Sequence, residues 1–177
     1  SSGHLSGKQA KEELENSRAS LASVLGVKPE HLFFTSGGTE ANNIILSSFL
    51  LKDSRKQPLR LVASSVEHPS VYEPLKLLEK RGAHLKLIPS TAGGDSDLSS
   101  LELLTEGKLD LVTIMLVNNE TGALQPVQQA VRTIRKLPAG DRTHIHVDGV
   151  QAFGKTTVSI ADMDIDSLSI SGHKIGA

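Results

Sequence analysis

Short apolar runs alternating with helix-patterned segments constrain this chain more tightly than any other feature. In order they are "HLFFTS" and "TEANNIILSSFLL", "LRLVAS" and "SVYEPLKLLEKR", "AHLKLI", "LDLVTIMLV" and "VQQAVRTIRKL", "HIHVD", and finally "SLSIS". Brief runs rich in apolar and β-branched residues read as strands, whereas apolar residues recurring at helical spacing read as helices. From Leu111 to Val117 the chain is almost continuously apolar, the pattern of a strand covered on both faces. Strands interleaved with helices imply a mostly parallel sheet with helices on both faces, so the fold class is α/β. Ahead of this alternation, Ala10, Leu14, Leu21 and Leu25 recur at helical spacing, and Ser6 with Gln9 resembles a capping box. Gly26 and Pro29 close the segment, so a helix is expected over Gly7–Leu25. The polar stretches 52–58 and 90–100 read as surface connections.

Charge and cysteine content narrow what such a scaffold is used for. Nineteen Lys and Arg stand against 20 Asp and Glu, a formal net charge of −1, and no basic run has the footprint of a nucleic-acid binder. No apolar stretch approaches the roughly 20 residues that span a bilayer, so no membrane partner is expected. The opening "SSGHLSGKQ" has no signal-peptide pattern, and a cytoplasmic location is the expectation. Cysteine is absent, which removes disulfides, thiolate metal sites and a thiol nucleophile from these 177 residues. Two arrangements imitate metal sites. "DMDID" resembles the start of a calcium loop, but Ser167 stands where that loop needs glycine and His173 where it needs glutamate. His144 and His146 share one strand face, for which a position at a sheet edge is the simpler expectation, and no metal is expected.

In open α/β sheets ligands bind beyond the carboxyl ends of the strands, where loops and helix N-termini converge. The chemically distinctive residues fall there. Thr35 to Glu40 follow "HLFF", Glu67 and His68 follow "LRLVASS", Asn118 to Gly122 follow "LVTIMLV", Asp148 and Gln151 end "HIHV", and Ser171, His173 and Lys174 follow "SLSI". The paired glycines of "SGGTE" turn backbone N–H groups toward an anion, with the Thr39 hydroxyl as a further donor; the same residues also make a tight turn and helix cap. Asp148 at the mouth of a strand needs a partner, either a protonated heterocyclic nitrogen or the N–H groups of a helix it caps. His68 precedes Pro69 and Ser70, with Glu73 completing a capping box; it is either a helix-entry residue or an aromatic face with acid–base capability. Lys174 beside His173 is either a solvated charge or an amine that attacks an aldehyde.

Taken together, "FTSGGTEANN", "SSVEHPSV", "LVNNETGALQPV", "HVDGVQAFGK" and "SISGHK", in this order, resemble the pyridoxal-phosphate enzymes of the class V aminotransferase group. The likeness is to the cysteine desulfurases and selenocysteine lyases in particular, and it covers essentially the whole chain. It implies that Lys174 holds pyridoxal 5'-phosphate, Asp148 pairs with its ring nitrogen, Gln151 and Asn119 lie near the ring oxygen, and His68 stacks on the ring. It assigns the phosphate to Gly38, Thr39, Ser171 and His173. Lys174 and His68 are the catalytic residues it implies, moving protons at the substrate's α and β carbons. The implied reaction removes sulfur from L-cysteine to give alanine and an enzyme-bound persulfide. Selenocysteine lyase, another class V aminotransferase and a non-catalytic remnant of the fold are the alternatives. On this likeness residues 1–177 are the central part of the large cofactor-binding domain, without the small C-terminal domain. The reactive cysteine and a carboxylate-binding arginine would then lie outside the chain. The implied partners are L-cysteine or selenocysteine, a sulfur-acceptor protein and a second subunit in a homodimer.

Overall fold

The computed structural model describes residues 5–51, 57–104, 108–138 and 140–176. Helix α1 runs Leu5–Leu25, so Ser6 lies inside its first turn and the Ser6–Gln9 capping box is not formed. The expected stop is present: Gly26 adopts φ +70°, and the N–H groups of Gly26 and Val27 return to the carbonyls of Ser23 and Ala22 at 3.3 and 2.9 Å. Glycine suits that left-handed position because it carries no Cβ.

Five parallel strands follow in the order β2-β1-β3-β4-β5: β1 Arg60–Ser64, β2 His84–Ile88, β3 Leu111–Met115, β4 His144–Asp148 and β5 Ser167–Ser169. The helices are α2 Gly38–Leu50, α3 Pro69–Lys80, α4 Leu101–Leu104, α5 Val127–Arg135 and α6 Ile160–Met163. The α/β class and the parallel sheet are therefore as expected, while the short helices α4 and α6 were not anticipated. Of the two surface connections, 52–56 lie outside the described residues, and 90–100 carries a bridge between Ser90 and Ser96.

"HLFFTS" is not a strand. A 3-10 turn occupies Pro29–His31, and the extended residues after it have no ladder partner among the described residues. Phe33 and Phe34 are exposed, and the Arg18 guanidinium lies 4.9 Å from the Phe34 ring centroid while donating to the Leu32 carbonyl. An apolar run becomes a strand only where a neighbour offers hydrogen-bond partners, so composition alone misread this segment.

The alternation of side chains along each strand divides the interior into two apolar layers. Val62, Val112, Ile114, Ile145 and Val147 pack on one face with Val127, Val131 and Ile134 of α5 and with Leu25 of α1. Leu61, Ala63 and Leu111 pack on the other with Leu46 and Phe49 of α2 and Val71, Leu75 and Leu78 of α3. Every residue of β3 is buried, as its almost continuous apolarity predicts, Thr113 included. Arg135 staples the start of β4 to the loop before β5: Nη1 donates to the carbonyls of Gly140 and Thr143, and Nη2 to the Asp164 carbonyl and Asp166 Oδ2. Among the described residues, no helix is long and apolar enough to cross a membrane.

Candidate active site

Strand β4 sends Ile145 and Val147 into one apolar layer, so His144, His146 and Asp148 necessarily share the opposite face, beneath α2. β4 pairs with β3 on one side and β5 on the other, so the two histidines are not at a sheet edge as expected. They belong to a hydrogen-bonded polar seam. His144 Nε2 and His146 Nδ1 lie 2.8 and 2.9 Å from Ser167 Oγ, and His146 Nε2 lies 3.0 Å from Asn42 Oδ1. Burial, reinforced by neighbouring His144, pushes the His146 imidazole down to about 3, so it is neutral under ordinary conditions.

Asn42 comes from α2, whose buried face reads Gly38, Asn42, Leu46 and Phe49. Its Nδ2 donates to Asp148 Oδ2 at 2.8 Å and to Ser70 Oγ at 2.9 Å. Asp148 Oδ1 accepts from the Val150 backbone at 3.0 Å. The Asp148 carboxylate is thus buried, bonded by two neutral donors, and has no ion-pair partner among the described residues. An ionised carboxylate offers about four lone-pair positions, so a further donor can be received there.

His68 stands at the entrance to α3, and its own ring caps the helix. Nδ1 accepts from the Ser70 N–H at 3.1 Å and lies 2.8 Å from Ser70 Oγ, replacing the expected Ser70–Glu73 box. Glu67, one residue earlier, reaches into the crevice between the ends of β1 and β3, where the strand order reverses. Glu67 Oε1 accepts from Ser64 Oγ at 2.7 Å and from the Met115 N–H at 2.8 Å, while Oε2 is buried without a partner among the described residues. Burial, with the Asp148 carboxylate nearby, pushes its carboxyl up to about 8.

Around this centre stand groups able to hold an anion. No side chain caps the N-terminus of α2, and the first turn presents the N–H groups of Gly38 and Thr39. Gly38 is pressed against the loop after β4, since a Cβ there would lie 2.5 Å from Val150 Cγ2. After β5, the Ser171 hydroxyl is buried and lies 2.8 Å from His173 Nδ1. Lys174 ends the short turn Gly172–Lys174 with its side chain exposed, and Ile175 beside it packs on Gly154. Gln151 accepts from Lys155 Nζ at 3.2 Å.

One hydrogen-bonded centre thus joins Asp148 and His68 through Asn42 and Ser70, with Gly38 and Val150 in contact beside it. Asn119 is exposed in the turn after β3, a turn held by Asn118 Oδ1, and is not hydrogen-bonded to the other candidates among the described residues. Sequence reasoning gave no role to Asn42 or Glu67. Asn42 was detectable as a polar residue on the apolar stripe Gly38–Leu46–Phe49, whereas the environment of Glu67 depends on β3, far away in sequence.

Residues 1–177 match the family described as Aminotransferase class-V. The chain belongs to the class-V aminotransferase family. Among curated members, rat selenocysteine lyase is 34% identical over 98% of this chain and 46% of its own length. Human cysteine desulfurase is 34% identical over 97% of this chain and 36% of its own length. Among solved structures, a NifS-like protein superposes with a TM-score of 0.90 at 36% identity, covering 98% of this chain and 47% of that one. A structure of SspA in complex with cysteine gives 0.89 at 30% identity, covering 98% and 49%. This class-V aminotransferase chain therefore spans less than half the length of each relative it matches here.

Proposed function

We propose that this chain is the central part of the large cofactor-binding domain of a pyridoxal-phosphate-dependent cysteine desulfurase, acting in a longer protein. The observation that carries the reading is Asp148: a buried carboxylate at a strand mouth, bonded among the described residues only by neutral donors and joined through Asn42 and Ser70 to the His68 ring, with an uncapped helix N-terminus beside it. The donor set fits pyridoxal phosphate. Asp148 suits a protonated ring nitrogen, and Gly38, Thr39, Ser171 and His173 suit a phosphate. Gln151 and Asn119 are assigned to the ring oxygen, and Lys174 to the covalent attachment.

When bound, the cofactor supplies an electron sink for bonds broken at the substrate's α carbon. Asp148 keeps the proton on the ring nitrogen. His68, whose Nδ1 is committed to capping α3, has its ring face left for stacking and Nε2 for proton transfer. The Lys174 amine would be the second proton carrier. Sulfur transfer requires a thiol from outside these residues, since the chain has none. L-Cysteine as substrate, a sulfur-acceptor protein and a homodimeric parent complete the proposal.

Selenocysteine lyase is the second reading, favoured by the 34% identity to the rat enzyme. The deciding experiment is incubation of the full-length protein with pyridoxal phosphate, borohydride reduction and peptide mapping, followed by assays on L-cysteine and L-selenocysteine. A reduced adduct on Lys174 with sulfide or persulfide from cysteine is the expected result. An adduct with activity on selenocysteine alone selects the second reading, and no adduct on folded protein refutes both.

A further inference from the structure

We propose that Asn42 is a positioning residue whose amide directs one chain of hydrogen bonds to both Asp148 and His68. The inference rests on the reading that those two side chains face the cofactor. It follows from the protons, each of which has a single consistent place. The Ser70 N–H donates to His68 Nδ1, so that nitrogen carries a lone pair. The Ser70 hydroxyl, 2.8 Å from the same nitrogen, must then donate to it as well, which leaves Ser70 Oγ to accept from Asn42 Nδ2 at 2.9 Å. The other amide proton goes to Asp148 Oδ2, a carboxylate oxygen that only accepts, at 2.8 Å. Asn42 Oδ1 consequently receives the proton of His146 Nε2, and His146 Nδ1 receives that of the Ser167 hydroxyl.

A flipped amide is not tolerated. It would turn its oxygen toward the Asp148 carboxylate and toward a serine oxygen whose proton is already committed. Asp148 and Ser70 thus fix the direction of the amide, whose oxygen meets buried His146 Nε2 on its far side. One side chain, fully buried and carried by α2, links α3 to β4. Its effect on His68 is to keep the Ser70 hydroxyl pointing at Nδ1, where it joins the Ser70 N–H in keeping the ring's proton on Nε2.

The near-isosteric variant Asn42→Asp tests this by exchanging donors for acceptors at constant shape. Its oxygen captures the Ser70 proton, so Ser70 Oγ becomes an acceptor for a proton on His68 Nδ1. Histidine ring-nitrogen NMR of the full-length protein without cofactor, at one fixed near-neutral pH, is expected to show Nδ1 of His68 protonated in a larger fraction than in wild type. Pyridoxal phosphate is expected to bind about tenfold or more weakly, because Asp148 loses an amide donor and shares one proton with the new carboxyl group beside it. Asn42→Ala also weakens binding about tenfold but leaves the His68 proton on Nε2, because no new acceptor captures the Ser70 hydroxyl, which still donates to Nδ1 beside the Ser70 N–H. A packing defect would instead make Asn42→Ala the more severe change and move no proton. Folded N42D protein with wild-type His68 protonation and wild-type cofactor affinity would overturn the proposal. If N42D does not fold, unchanged affinity in folded N42A overturns it equally. Wild-type protein that binds no pyridoxal phosphate refutes the functional reading, while the His68 spectrum still decides the role of Asn42.

Discussion

Glu67→Gln tests the electrostatics of the crevice between β1 and β3. The Glu67 carboxyl titrates at 4.5 when unfolded and at about 8 in the fold, so between those values the native state holds a proton that the unfolded state has released. Stability therefore falls as pH rises through that window, by about 1.4 kcal/mol per pH unit and roughly 5 kcal/mol in all. His146 acts in the opposite sense. Its folded value of about 3 lies below the unfolded 6.5, so the unfolded state takes up a proton first and stability falls as pH drops through that range. The two slopes cancel between pH 4.5 and 6.5, and each acts alone outside that interval. The contribution of this pair is flat in that interval and falls by about 2 kcal/mol toward pH 3 and toward pH 8. The amide of Glu67→Gln keeps an oxygen for Ser64 and the Met115 N–H and removes the titration. Urea unfolding of wild type and variant at matched pH values isolates the effect. The stability difference between the two should shift by several kcal/mol in the variant's favour from pH 4.5 to pH 8. A difference that stays constant across that range would refute the buried, protonated state of Glu67.

Three further outcomes follow. Gly38→Ala drives a Cβ to 2.5 Å from Val150 Cγ2, and a β-branched neighbour yields poorly, so the variant should lose about 1 to 3 kcal/mol in thermal or urea unfolding and bind pyridoxal phosphate less tightly. Arg135→Ala strands the part-buried carbonyls of Gly140 and Thr143 and should cost about 2 to 3 kcal/mol, with lysine restoring little because it lacks the planar fork. Lys174→Ala, at an exposed position, should leave the melting temperature of the cofactor-free protein unchanged while abolishing the borohydride-trapped adduct.

The strand and helix order, the parallel sheet and the α/β class were legible in the sequence because they depend on local periodicity. Leu111–Met115 announced a strand buried on both faces, and Gly26 announced the stop of α1. Asp148, His68 and Gly38 were legible as site candidates because strand ends and helix entries are where an α/β sheet offers its free backbone groups. Periodicity also misled: Leu32–Phe34 has strand composition but no neighbour to pair with among the described residues, and His144 and His146, two residues apart, looked like an edge pair. Only the tertiary structure decided those cases. Burial beneath α2 makes His146 neutral, Asn42 meets Asp148 across 106 residues of sequence, and β3 supplies the N–H that holds Glu67. Hydrogen-bond direction and ionisation depend on which distant groups share a dry space, and a local pattern of residues carries no information about that.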